Sequence, residues 1–362
     1  MIDRRPAVIA RCTRTADVAA AVRFAVTGGM EIGVHGGGHS VRGLCVPHGG
    51  LMVDLSTMRG VQVDPDRRRA RVQGGALLSG LDAATQQAGL ATTAGIVSHT
   101  GVGGLTLGGG MGWLARQLGL ACDNVVSFEV VAADGTVLRA SESENADLFW
   151  GLRGGGGNFG VVTAIEFELY PVSELAGGAL LWPAERAEEI FNAWREWAAT
   201  VPTQVTSLCR LLNVPSLPDV PEPLRGRSFV AVEAAILGDD AVLAPLRALA
   251  PEIDMVGPIA PAALIEIHND PKQPMPGLAD HRILADAGPE AIAALGNASG
   301  PELVAVELRH LGGNLPVDGF SLFAIGVPMD AESAMAIDAA LARVMAATAP
   351  YDSGRSLANF SD

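Results

Sequence analysis

Apolar and polar positions repeat with two different periods along this chain, and each change of period marks an element. A helical period runs through residues 13–29, TRTADVAAAVRFAVTGG. It predicts a helix that Thr15 caps, Asp17 favours in its first turn and Gly28 ends. MEIGVH then reads as a short strand, followed by strands in GGLMVDLS, RGVQVDPD and RRARVQGG. The last two are joined by a turn around Pro65 and Asp66. Helical spacing returns in residues 76–90 and stops near Gly89. Residues 126–141 predict a hairpin turning at Asp134-Gly135, and residues 146–172 a helix, a glycine loop and a strand.

Beyond Pro171 the texture changes. Helices expected over 183–200, 239–250, 288–297 and 331–347 alternate with apolar strands over 205–213, 227–236, 303–309 and 319–326. Pro215 to Pro223 and the segment NDPKQPMPGLAD read as loops. The expected class is α+β. A two-part first domain spans 1–172, a second domain with a largely antiparallel sheet covered by helices spans 173–347, and residues 348–362 begin a return to the first.

Composition narrows the function classes. The 362 residues are 49% hydrophobic and carry a net charge of −15, with Lys272 as the one lysine. A chain this acidic, without a basic stripe, is a poor partner for nucleic acid. An anionic ligand would be held by backbone N–H groups or single arginines. The four cysteines, Cys12, Cys45, Cys122 and Cys209, form no CxxC pair, which argues against a zinc site or a disulfide framework. No apolar run is long enough for a membrane span, so the expectation is a soluble, cytoplasmic protein.

Three glycine-rich loops then stand out: VHGGGHSVRG at 34–43, GIVSHTGVGGLTLGGGMGW at 95–113 and GGGGNFG at 154–160. A single loop of this kind is more often a turn. Three between apolar segments suggest backbone that must approach a phosphate closely. There is no GxxxxGK[ST]. GGGNFG matches GxGxxG by letters, but it follows a helix and precedes a strand, the reverse of a dinucleotide fingerprint. His48, His99, His268, His281 and His310 have ordinary structural readings, whereas His35 and His39 sit where everything else is small. No HxH or HExxH cluster argues for a metal, and no GxSxG argues for acyl transfer. What remains is a histidine presented at close range to a cofactor.

These blocks carry a resemblance. GVHGGGHSVRG, SHTGVGGLTLGGGMGW, DNVVSFEVVAADG and DLFWGLRGGGGNFGVVT occur in the order found in FAD-linked oxidases of the vanillyl-alcohol oxidase and p-cresol methylhydroxylase superfamily. The chain is most similar to the berberine bridge enzyme-like group, over residues 5–171 nearly continuously. The resemblance implies that His35, Gly36, Gly37, Gly38, His39 and Ser40 wrap the FAD pyrophosphate and that His39 bonds the flavin through its 8α-methyl. It places Gly95, His99, Thr100, Gly103, Gly104, Gly108 and Gly112 near the flavin, and Asn158, Gly160 and Val162 on the adenine and ribose side. Asn359 matches a residue that approaches the flavin. Many relatives have a second tether, a cysteine, where this chain has Val97, which implies a single attachment with Cys45 and Cys122 uninvolved.

The implied activity is oxidation of an alcohol, sugar, amine or alkaloid-like substrate, with hydride passing to flavin N5 and electrons to dioxygen, giving hydrogen peroxide. Neither tyrosine, Tyr170 or Tyr351, is placed convincingly as a catalytic base. The chain also begins later and stops earlier than the group's pattern. A truncated relic or ligand-binding module of the same fold is therefore the alternative, and bound flavin separates the two. A flavin reductase of cell-wall precursor synthesis fits less well, because it holds FAD without needing His39.

Overall fold

A computed structural model describes residues 3–216, 218, 220–271, 273 and 275–360, so Lys272 lies outside the described residues. The chain divides into two compact units. Among the described residues, the first runs to Ser173 and includes Ala260–Glu266; the second comprises Glu174–Ile259 and residues 267–360.

The first unit holds two sheets. β1 (Val8–Arg11), β2 (Ile32–His35) and β3 (Leu51–Asp54) form a parallel sheet in the order β1-β3-β2. β1 shows no apolar alternation because it is an exposed edge, which is why its sequence gave no strand signal. Helix α1 (Thr15–Thr27) buries Val18, Val22 and Ala25 with Leu51, Val53, Val131 and Val161. Its cap differs from expectation. Arg14 is the N-cap, while Thr15 is already helical and donates its hydroxyl to Glu129 Oε1 at 2.6 Å. The Asp17 carboxylate instead reaches back to the Thr13 N–H at 3.0 Å.

The second sheet of this unit is antiparallel. β4 (Val61–Asp64), β5 (Arg69–Gln73), β7 (Val125–Val131), β8 (Val137–Ser141) and β9 (Val161–Glu168) take the order β4-β5-β9-β7-β8. A small ladder joins β6 (Leu90–Ala91) to β10 (Tyr170–Pro171). Leu78 and Leu81 of α2 (Leu78–Gln86) and Phe149 and Leu152 of α5 (Ala146–Leu152) cover its apolar face, against Phe128, Ile165 and Phe167. Two short helices, α3 (Val102–Leu107) and α4 (Ala115–Leu118), lie within the second glycine stretch.

The second unit is one antiparallel sheet with helices on one face. Its strands are β11 (Ala176–Pro183), β12 (Val205–Asn213), β13 (Ser228–Ile236), β14 (Ile253–Asp254), β15 (Gly257–Pro258), β16 (Leu278–Leu284), β17 (Ala305–His310) and β18 (Phe320–Gly326). They run β14-β11-β13-β12-β17-β18-β16, with β15 also on β11. Helices α6 (Ala187–Ala198), α7 (Ala244–Arg247), α8 (Pro289–Ala298) and α9 (Ala331–Thr348) accompany it, and Trp182, Trp194, Leu308, Leu322 and Val344 share the core.

Four expectations change here. The helix expected from residue 183 begins at Ala187, because AGGALLWP, poor in strand formers, is nevertheless a buried strand between β13 and the edge. Residues 278–280, read as loop, open β16. Residues 260–266, expected with the second domain, pack with the first unit, where Ala262 N–H donates to Gln86 Oε1 at 2.9 Å. The tail from 348 stays with the second unit rather than returning to the first. Ser353 N–H donates to Ile283 O at 2.8 Å, and the Phe360 ring stacks on His281 at 5.2 Å.

Candidate functional site

Strand β2 ends on His35 and releases the first glycine loop. A Cβ added to Gly37 would lie 2.2 Å from the Gly101 nitrogen, and one on Gly101 would lie 2.5 Å from the Gly37 nitrogen. The two loops therefore touch backbone to backbone, an approach only glycine permits. Gly74 is the third partner. A Cβ on Gly36 or Gly103 would meet its carbonyl oxygen at 3.1 or 2.9 Å, and its N–H donates to Thr163 O at 2.8 Å. Gly74 was not among the expected site residues; the doublet closing RRARVQGG was the available signal.

Behind the loop, His35 Nδ1 lies 3.5 Å from Asp54 Oδ1. Asp54 is buried, which alone would raise its pKa. Hydrogen bonds from Ser56 and Arg11 outweigh that burial and hold it below its ordinary value. Gly38, at φ +76°, rests on the His35 ring.

The second loop is fixed from below. Leu78 N–H donates to Thr100 O and Ser79 N–H to Ser98 O, both at 3.0 Å, pinning the loop to the start of α2. Thr100 is buried, and the His99 ring lies 4.6 Å from the His39 ring at a tilt of 58°. His99 Nδ1 is buried without a hydrogen-bond partner, as are the hydroxyls of Thr92, Thr93 and Thr106. Gly95 packs on Leu78 and Leu105, Gly112 on the Ala94 carbonyl, and Gly108 caps α3, while Gly104 faces open space.

The third loop is looser. Asn158 is exposed and donates from Nδ2 to Gly155 O at 2.8 Å; Gly160, at φ +129°, lies against Val131 O. Val162 has its side chain in the core of the antiparallel sheet, so only its backbone is available to a ligand. Ser40 is exposed, and its Oγ accepts from Leu44 N–H at 3.3 Å. Asn359 is exposed and belongs to the second unit. Burial raises the thiol pKa of Cys45, and burial with Asp123 pushes Cys122 up to about 12, so neither is a ready thiolate. Among the described residues, no group of three His, Cys, Asp or Glu side chains is arranged to hold a metal ion.

The second unit contains a buried charged cluster that the sequence reading missed. On the sheet face away from the helices, Arg210 Nη2 lies 2.5 Å from Glu233 Oε1. His268 Nδ1 lies 2.6 Å from Glu233 Oε2, and its Nε2 lies 3.5 Å from Glu307 Oε2. Arg309 Nε donates to Glu307 Oε1 at 2.7 Å. Glu307 Oε2 and Arg210 Nε are buried without hydrogen-bond partners. Burial would raise the pKa of Glu233, but Arg210 and His268 overcome it and hold it down. The available signal was one glutamate inside the apolar run FVAVEAAI. Beside this cluster, His281 is pushed down to about 4 by burial, with Arg309 adding to the shift.

Residues 6–141 match the FAD binding domain family. The chain is 39% identical to (R)-6-hydroxynicotine oxidase of Paenarthrobacter nicotinovorans over 186 residues, covering 51% of this chain and 41% of the relative. It is 38% identical to glucooligosaccharide oxidase of Sarocladium strictum over 213 residues, covering 57% and 42%. These matches span less than half the length of the curated relatives. The solved structure of 6-hydroxy-D-nicotine oxidase from Arthrobacter nicotinovorans superposes with a TM-score of 0.82 at 27% identity, covering 99% of this chain and 84% of that one. Residues 6–141 thus match a FAD-binding domain, and the fold of the described residues is similar to that of 6-hydroxy-D-nicotine oxidase.

Proposed function

We propose that this protein is a FAD-dependent oxidase, monocovalently flavinylated at His39, that oxidises a small organic substrate and returns the electrons to dioxygen. The observation that carries this is the contact of Gly37 with Gly101, which brings His39 against His99 inside a FAD-binding domain. The residues suit the cofactor. Three glycine-bearing backbone segments converge where a Cβ on Gly37 or Gly101 would strike the facing backbone, and beside His39 the buried Nδ1 of His99 has no protein partner. Bound FAD supplies hydride acceptance at N5.

Residues 35–40 hold the pyrophosphate, His99, Thr100 and Gly103 line the flavin, and Asn158 and Gly160 serve the adenine side. Val97 offers no second bond. The relatives act on substrates as different as a hydroxynicotine and an oligosaccharide, which supports a small hydroxyl- or amine-bearing substrate without choosing between them. They also favour an active oxidoreductase over a relic. A cytoplasmic location accords with four unpaired cysteines, and no described helix is long and apolar enough to cross a membrane.

The purified protein is expected to be yellow and to keep its colour in an acid-precipitated pellet. His39→Ala should bind FAD but release it into the acid supernatant. Peroxide release over a panel of alcohols, sugars and amines then identifies the substrate. A colourless protein that takes up no added FAD contradicts the proposal.

A further inference from the structure

We infer that His99 is the base that takes the proton from His39 when His39 bonds to the flavin, an inference that rests on His39 being the attachment residue. The rings are in contact, at 4.6 Å between centroids. His99 Nδ1 is buried and unpartnered, so no protein group competes for it. Leaving such a nitrogen unsatisfied is unfavourable, which the fold tolerates where the group has another use. Placement is rigid: Thr100 N–H donates to Val97 O at 3.1 Å, closing a turn around His99, and Leu78 and Ser79 anchor both sides of it.

The other titratable groups nearby face elsewhere. His35 Nδ1, also without a hydrogen-bond partner, faces Asp54 Oδ1 at 3.5 Å, and its Nε2 lies under Gly38. Asp54 is buried, and its oxygens are engaged by Arg11 and Ser56. The unprotonated nitrogen of a neutral imidazole carries a lone pair that can accept a proton.

The chemistry balances. The His39 N–H bond and one C–H bond of the flavin 8α-methyl break, and a C–N bond forms between the two atoms. One proton goes to His99 and one to solvent. The two electrons enter the flavin ring, and dioxygen removes them with two protons as hydrogen peroxide. A resident base near the attacking nitrogen speeds this step by lowering the charge that develops on it.

The test follows covalent incorporation, without substrate turnover. Protein purified from a riboflavin-starved host is mixed with FAD. The fluorescence that stays with the denatured polypeptide is then read over time, and noncovalent uptake is followed by the visible spectrum. His99→Ala and His99→Gln should take up FAD yet form the covalent bond about a hundredfold more slowly than wild type. Added imidazole should partly restore the alanine variant, which a merely structural role would not allow. Covalent incorporation at the wild-type rate in both variants overturns the inference while leaving His39 as the attachment residue. Failure of both variants to bind FAD at all overturns it in favour of a structural role. Wild-type protein that binds FAD but releases all of it in acid overturns the attachment site and the role of His99 together.

Discussion

The glycine cradle of the first unit and the charged sheet face of the second solve opposite problems. In the cradle, side chains are removed so that the backbones of Gly37, Gly74 and Gly101 can converge. On the sheet face, large charged side chains are brought out of water, where Arg210, Glu233, His268, Glu307 and Arg309 must satisfy one another. A cofactor common to many enzymes can be held by backbone. In the proposed function the first region does this.

Removing one member of the charged face should have the largest effect on stability. Glu233→Ala leaves Arg210 and His268 buried without their partner and should cost about 3–5 kcal/mol in chemical denaturation. Flavin incorporation should survive in the protein that remains folded. If FAD uptake falls in step with Glu233→Ala, the contrast between the regions is wrong.

Gly101→Ala should cost about 1–3 kcal/mol, because its Cβ would meet the Gly37 backbone, and it should abolish flavin uptake. Uptake at the wild-type level would show that the cradle does not need this approach. Gly104 is the internal control. It faces open space, so Gly104→Ala should change stability by no more than about 0.5 kcal/mol.

A smaller, pH-dependent effect belongs to His281. Its pKa is about 4 when folded, against about 6.5 when unfolded. Between those values the unfolded chain binds a proton that the folded chain does not, so stability should fall as pH drops through that window. His281→Gln should flatten that part of the melting-temperature profile. An unchanged slope would mean that His281 is not buried neutral beside Arg309.

Much of the first unit was legible, since α1, the DG hairpin and the glycine loops are signals carried by neighbouring residues. Gly74 was less so, because its role comes from segments far apart in sequence meeting at its carbonyl. The second unit's helices could be read from their period. Its strand β11 could not, since alanine and glycine carry little strand preference and only pairing with β13 defines it. The charged cluster was the hardest to anticipate. Its five residues come from three strands and the segment around His268, and each alone reads as an ordinary surface charge or a structural histidine. Thr15 shows the same limit on a small scale. Its sequence context suits a cap, but its hydroxyl goes to Glu129 across 114 residues.

The most direct measurement is to saturate the purified protein with FAD, denature it in acid, digest it and locate the flavin by mass spectrometry. A single flavin on the peptide that contains His39, with Cys45 and Cys122 unmodified, is the expected result. A flavin attached elsewhere, or a protein that never takes up FAD, would contradict the glycine cradle and its histidine tether.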